Sequence, residues 1–234
     1  MPVLPGSPPI EIALRRSASA RRFSLRVSRL DGRVTLSMPL RAREAEALRF
    51  ANEQADWIRT TLSQMPQFQV VGIGDAVPVE GRLLVLTQAA GRSVRVDGDS
   101  ILVPGNPRQA GVRVAAFLKV LARDRLAAAC DRHALRLGRP YTRLTLRDTR
   151  SRWGSCAHDG ALMFSWRLIM APPMVLDYVA AHEVAHLAEM NHSPAFWRVV
   201  EGLYPNWKPR RAWLHDHGQG LHSYRFEARD DDED

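Results

Sequence analysis

The chain has 234 residues, of which 45% are hydrophobic and 25% charged, a composition that allows one large globular domain or two small ones. No run approaches the ~18 consecutive apolar residues of a membrane span, and the prolines near the N-terminus are not typical of a signal peptide, so we expect a soluble, cytoplasmic protein with no membrane partner. Cys130 and Cys156 are far apart, which argues against a disulfide framework or a thiolate zinc knuckle.

The net charge of +8 understates how basic the body of the chain is. Five acidic residues form the C-terminal segment 230–234, and without them 33 basic residues oppose 20 acidic ones, a balance of +13. We expect this acidic tail to be disordered. The basic surface can attract nucleic acid, a nucleotide or an acidic protein, but no recognisable module supports nucleic-acid binding.

Period-two alternation of apolar residues predicts strands in the N-terminal part, beginning with a half-buried antiparallel pair over about 23–38. From Arg41 to Met65 the period becomes helical, and Pro66 ends the segment. Further strands follow between Val77 and Ile101. Three Asp-Gly pairs predict tight hairpins, since glycine tolerates the positive φ of such turns: Asp31-Gly32, Asp97-Gly98 and Asp159-Gly160.

The run from Pro104 to Pro107 is typical of a connector. We therefore expect a β-rich N-terminal part over 1–108, made of hairpins and one helix, a catalytic domain over 109–229, and the acidic tail over 230–234.

Within 109–229, a helix is predicted from Val112 to Leu137, ending at Gly138. A third strand group, including the turn at Asp159-Gly160, leads to Pro172 and Pro173. These prolines suit the first turn of a helix, where their missing N–H groups are not needed. The fold class predicted from these elements is α+β.

The predicted helix after Pro173 contains the motif H-E-x-x-H as His182, Glu183 and His186. Four residues advance an α-helix by about 400°, so the two histidines lie one turn apart on one face and can bind the same metal ion. Glu183 lies beside that face, where it can act on a water molecule without being a ligand. The motif therefore predicts a metallohydrolase site.

A catalytic zinc site needs a third protein ligand and an open position, and His192 is the best candidate for that ligand. In a continuous helix His192 would face away from the ion, so the helix must end first, and Met190-Asn191 is a plausible stop. Ser193-Pro194 is typical of the N-cap and first residue of another helix. Closure of the site by Cys156 as a structural zinc centre is a less favoured alternative.

These motifs, together with SRWGSC at 151–156, FSWRLIMAPP at 164–173 and NHSPAFW at 191–197, resemble the YgjP-like metallopeptidase family, which is related to the SprT-like and WLM zinc proteases. The resemblance covers most of the chain. It implies a zincin-like catalytic domain with one Zn²⁺ per chain, held by the H-E-x-x-H helix and a downstream histidine. It also implies a peptide or protein substrate, with Glu183 as general base.

Four further residues are candidate substrate-binding groups. Arg152 and Arg167 can stabilise an oxyanion or bind a phosphate, although structural ion pairs are an equally good interpretation. Trp153 can line the cleft, as can Trp166 and Trp197, but tryptophans in strands and helices are more often core residues. Tyr178 lies four residues before His182 and can share its face, although simple packing is the safer interpretation.

Two competing functions stay open at this point. One is a metal-dependent nucleoside triphosphate pyrophosphohydrolase, an activity linked to some members of the family that the chain resembles. Such an enzyme would favour magnesium or manganese, whereas three imidazoles are a zinc-like ligand set and no glycine-rich phosphate loop is present. The other is a protease that acts near DNA, as in the SprT-like relatives.

Overall fold

The computed structural model describes residues 2–28, 32–63 and 68–228. The chain folds into two compact units, 1–67 and 68–234. Each unit has a separate hydrophobic core. Asp31 of the first predicted hairpin and the acidic tail 230–234 lie outside the described residues. Within the described ranges, no helix is both long enough and apolar enough to cross a membrane.

The first unit is a mixed sheet followed by two helices. Its elements are β1 (Val3–Leu4), β2 (Ile10–Ser17), β3 (Ser24–Val27), β4 (Val34–Pro39), α1 (Glu44–Glu53) and α2 (Ala55–Ser63). The strand order is β1-β2-β4-β3, with β2 parallel to β4. The predicted antiparallel pair is confirmed as β3 and β4, in which Val27 lies opposite Val34.

The single helix expected from Arg41 to Met65 is instead two helices, which was not predicted. They are separated at Gln54, whose φ and ψ of −101° and 12° leave the helical region. The N–H of Gln54 bonds to the carbonyl of Ala51, three residues back, so the chain tightens locally there.

The second unit contains the remaining strands and helices. The strands are β5 (Gln69–Val70), β6 (Ala76–Val79), β7 (Arg82–Ala89), β8 (Arg95–Asp97), β9 (Ser100–Pro104), β10 (Arg143–Arg147), β11 (Gly154–Cys156), β12 (Ala161–Ser165) and β13 (Tyr224–Arg225). The helices are α3 (Ala110–Leu137), α4 (Pro173–Ala185), α5 (Pro194–Leu203) and α6 (Lys208–His217). The described strands form three sheets, with the orders β6-β7-β9-β8, β10-β12-β11 and β13-β5. The α+β class predicted from the sequence is confirmed.

The strands β6 to β9 pack into the same core as the helices that follow them. Leu86 of β7 and Ile101 of β9 are buried in one cluster with Leu118 and Leu126 of α3. The sequence alone predicts these strands to belong to the N-terminal part, up to residue 108. In the structure the connector from Pro104 to Pro107 joins two elements of one unit, because both bury their apolar faces in the same core.

One topological pattern of three strands and a helix occurs three times in the described part of the chain. The first strand is parallel to the third, and the second strand pairs antiparallel with the third at the edge. The copies are β2-β3-β4 followed by α1, β7-β8-β9 followed by α3, and β10-β11-β12 followed by α4. In each copy an Asp-Gly pair occurs in the sequence at or just after the end of the second strand and before the third. Gly98 and Gly160 have φ of 57° and 78°, as their predicted hairpins require.

The helix α4 begins where the sequence predicts but ends earlier than expected. Pro173 occupies its first turn, as predicted. Its end is at Ala185, so the predicted stop at Met190-Asn191 is wrong. The N–H groups of Leu187 and Ala188 bond to carbonyls three residues back, which closes the helix with a tight turn.

The helix α5 starts as expected, with Ser193 as N-cap accepting a hydrogen bond from the Phe196 N–H. Likewise α3 ends at Gly138, which adopts the left-handed conformation with φ of 71°.

Candidate metal centre

The structure brings His182, His186 and His192 together at the end of α4. His182 lies in the last turn of the helix, and His186 directly follows it with helical φ and ψ of −64° and −18°. His192 belongs to the loop between α4 and α5. One ring nitrogen from each histidine lies within 4.8 Å of the other two.

The geometry and protonation of these histidines fit a divalent metal ion. The Nε2 atoms of His182 and His192 are 3.1 Å apart. Two nitrogens bound to a tetrahedral zinc at about 2.0–2.1 Å are separated by about 3.3 Å. Burial and the neighbouring histidines lower the pKa of His182 to about 3, and burial lowers the pKa of His186. Both are therefore neutral at physiological pH, the form that binds metal.

Two contacts orient the imidazoles. Nδ1 of His186 lies 3.0 Å from the backbone carbonyl of Glu189, and donating to that carbonyl leaves Nε2 free to bind metal. The ring of Phe196, which is fully buried, stacks on His186 with centroids 4.4 Å apart. It also lies 4.9 Å from the ring centroid of His182 and 4.7 Å from that of His192. The first turn of α5 thus supports all three rings.

Glu183 is a buried carboxyl group beside the histidines, with 6% of its surface exposed. Burial raises its pKa to about 8, and the positive charge of Arg152 acts in the opposite direction. A carboxyl group with a pKa near neutrality can both accept and release a proton at working pH. This is the protonation behaviour that a general base needs.

Gly154 is the first residue of the edge strand β11 and lies directly against Glu183. A Cβ atom at this position would be 2.6 Å from both Cγ and Oε1 of Glu183. Any side chain here would displace the carboxyl group, so glycine is required for the close approach of strand and helix. The sequence analysis did not identify Gly154 as a site residue, although a glycine inside a predicted strand is a recognised sign of close approach.

The histidines and Glu183 open onto a cleft of about 480 Å³. Its lining is Ser151, Arg152, Gly154, Ser155, Cys156, His182, Glu183, His186, Met190 and His192. Cys156 contributes a thiol whose pKa burial raises to about 11. In the described part of the chain, the group of clustered metal-binding atoms contains the three histidines and not this thiol.

The structure separates the two arginines that were candidates for substrate binding. Arg152 is exposed and lines the cleft. Arg167 is 7% exposed and forms a bidentate ion pair with Asp148, with N–O distances of 2.6 and 3.1 Å. Its third nitrogen donates to the carbonyls of Leu221 and Tyr224. Arg167 is therefore placed as a structural residue, the alternative that the sequence left open.

The two aromatic candidates are packing residues. Trp153 stacks on His222 with centroids 5.2 Å apart. Tyr178 is buried and packs edge-on against His182 at 6.0 Å, and burial raises its pKa to about 12. Neither is among the residues that line the cleft.

Another of the tryptophans considered for the cleft, Trp197, lies near the histidines. The half-buried ring of Trp197 lies 5.8 Å from the ring of His182 and 5.9 Å from that of His192. The guanidinium of Arg211 lies 5.2 Å from the Trp197 ring centroid. Arg211 lies on α6, and no local sequence motif predicts that this helix lies beside Trp197.

Comparison with known proteins identifies the chemistry of the domain. A family model described as "YgjP-like, metallopeptidase domain" matches residues 21–217. The crystal structure of the metallopeptidase zymogen of Pyrococcus abyssi abylysin aligns with 38% of this chain and 93% of its own, at 20% identity and a TM-score of 0.35. A search of curated proteins finds no match.

Proposed function

The chain belongs to the YgjP-like family of metallopeptidases, and on this basis we propose that it is a zinc-dependent peptidase that uses Glu183 as its general base. The observation that carries the proposal is the convergence of His182, His186 and His192 beside a buried carboxyl group in an open cleft. Three imidazole ligands with room for a fourth, exchangeable ligand are typical of catalytic zinc.

The residues of the site divide the reaction between them. His182, His186 and His192 would hold the zinc ion, which would supply Lewis-acid activation of a water molecule and of the scissile carbonyl. Glu183 accepts the proton of that water and passes it to the leaving amine. Phe196 and the Glu189 carbonyl keep the imidazoles in place during this step.

The edge strand β11 is the proposed binding surface for the peptide. In the order β10-β12-β11, β12 is its one partner among the described strands, so its outer side is available for an extended substrate. Gly154, Ser155 and Cys156 all line the cleft. Main-chain hydrogen bonds from this strand would hold the scissile bond beside Glu183.

The competing functions receive less support. The matching family is one of metallopeptidases, and Arg167, one of two arginines considered for phosphate binding, is committed to Asp148. Nucleotide hydrolysis and action near DNA are therefore not favoured by a specific observation.

The test is hydrolysis of casein and of quenched fluorescent peptides by zinc-loaded protein. We expect wild-type protein to cleave at least one of these substrates and Glu183→Gln to lose at least about 100-fold in rate, with its zinc content unchanged. Cleavage of nucleoside triphosphates in magnesium while peptides and casein stay intact would overturn the proposal.

A further inference from the structure

Two exposed arginines lie beside the proposed catalytic residues. Arg152 lines the cleft next to Glu183, and Arg211 lies over Trp197, whose ring is near His182 and His192. Both arginines are exposed. Within residues 2–28, 32–63 and 68–228, neither side chain forms an ion pair, in contrast to Arg125, Arg132 and Arg167.

Arg152 and Glu183 are the two formally charged side chains among the described residues that line the cleft. The carboxyl group of Glu183 is buried and is the proposed general base, so Arg152 is the exposed charged side chain of the described lining. The helix α6 adds Lys208 and Arg210 near Arg211 in sequence. An exposed cation beside the proposed catalytic residues attracts a carboxylate group on the substrate.

Arg211 is also held in a defined position. Its guanidinium packs over Trp197, and Trp197 in turn stacks on Trp207 with ring centroids 4.3 Å apart. Stacking on an aromatic ring orients the guanidinium. Its N–H groups remain free to bind a carboxylate that lies in the plane of the guanidinium. An arginine ordered in this way loses less entropy on binding than a mobile one.

We propose that Arg152 and Arg211 select peptides with carboxylate groups close to the scissile bond, so that the preferred substrate is an acidic segment of polypeptide. This inference rests on the proposed peptidase function and specifies its substrate class. Arg152 acts from the loop that enters β11, and Arg211 acts from α6.

The experiment compares cleavage of matched quenched fluorescent peptides by zinc-loaded, full-length protein. The peptides share one amidated sequence and differ only in whether Glu, Gln or Lys flanks the cleavage site. We expect kcat/KM to be roughly tenfold higher for the Glu peptide than for the Lys peptide, since each exposed ion pair changes affinity by up to about fivefold. The preference should shrink in high salt.

The variants Arg152→Glu and Arg211→Glu are each expected to abolish or invert the preference, while zinc content is retained. Arg92→Glu, in the exposed turn between β7 and β8, makes the same change in net charge away from the cleft and should keep the wild-type preference. A second peptide pair with a free or an amidated C-terminus tells whether a terminal carboxylate is bound in place of a side-chain carboxylate.

The outcomes separate the two proposals. If no peptide of any charge is cleaved, the peptidase function itself fails. If Glu, Gln and Lys peptides are cleaved at rates within about twofold, or if both charge reversals leave the preference intact, the peptidase stands and the acidic-substrate inference is overturned.

Discussion

At the scale of single residues, the site depends on the placement of a few atoms. His182 and His186 are neutral because burial lowers the pKa of both imidazoles, and Glu183 is held against a strand that has no side chain at the point of contact. The contact between the strand and Glu183 can be changed without removing a proposed metal ligand.

Gly154→Ala tests the contact between β11 and the carboxyl group. Because the added Cβ would lie 2.6 Å from Cγ and Oε1 of Glu183, the carboxyl group must move. We expect kcat to fall at least about tenfold, since a displacement of about 1 Å is enough to misalign a catalytic group, while zinc content is unchanged. Gly202→Ala is the matched control and should retain most of the activity, because a Cβ atom added there has no atom within 4 Å outside the local helix backbone. Full activity in Gly154→Ala would show that the close contact between β11 and Glu183 has no catalytic role.

His222 provides a pH test of stability away from the histidine cluster. Burial and the charge of Arg167 lower its pKa to about 4, below the ordinary value of 6.5. The unfolded chain therefore binds more protons between pH 6.5 and 4, and the contribution of His222 to folding is present above pH 6.5 and lost as pH falls towards 4. His222→Phe keeps an aromatic ring against Trp153 and does not titrate. We expect its free energy of unfolding to depend less steeply on pH in that window, as measured by urea denaturation. If the free energy of unfolding depends on pH identically in wild type and His222→Phe, the stability effect assigned to His222 is contradicted.

At the scale of secondary-structure elements, Arg167 links the loop before β11 to the C-terminal segment. It binds Asp148 on one side and the carbonyls of Leu221 and Tyr224 on the other. Its guanidinium also lies 4.8 Å from the ring centroid of Trp166. This side chain therefore stabilises the elements around the cleft without entering it.

Arg167→Ala should lower the free energy of unfolding by about 3 kcal/mol, because the carbonyls of Leu221 and Tyr224 lose a charged donor and the ion pair with the half-exposed Asp148 is lost. Arg143→Ala is the matched control. Its ion pair with Asp159 is long, at 3.3 Å, and exposed on both sides, so its loss should cost less than about 1 kcal/mol. Denaturant titration of both variants is the measurement, and equal effects would contradict the structural role of Arg167.

The local elements of the site were predictable from sequence, because they depend on residues close together in the chain. The spacing of His182 and His186 needs only one turn of helix, and Ser193-Pro194 caps α5 through local hydrogen bonds. The end of α4 at Ala185 was not predictable from glycine, asparagine or proline signals, because turn hydrogen bonds close the helix there.

Contacts between distant segments could not be predicted. The partner of Arg167 is 19 residues away, and nothing in the local pattern distinguishes Arg167 from Arg152. Likewise the repeated topology of three strands and a helix leaves no sequence repeat, because the copies share only strand directions and the position of the Asp-Gly turn. In the third copy, the edge strand β11 is the one that borders Glu183.

At the scale of the whole molecule, the chain contains two units with separate cores. The proposed metal ligands, Glu183, Arg152 and Arg211 all belong to 68–234. Because the buried residues of that core all lie between Val71 and Leu221, we expect the fragment 68–234 to fold and bind zinc by itself. Circular dichroism melting and zinc content of the fragment are the measurements. A fragment that is unfolded, while the full chain is folded, would show that the first unit is required.

The central claim, that the three histidines form one catalytic metal centre, is tested most directly by the zinc content of purified protein. Elemental mass spectrometry should find about one zinc per chain in wild-type protein, and a large loss of zinc in His182→Ala and in His192→Ala. Folded wild-type protein that binds no zinc when it is supplied, or zinc content that is unchanged in both variants, would contradict the account.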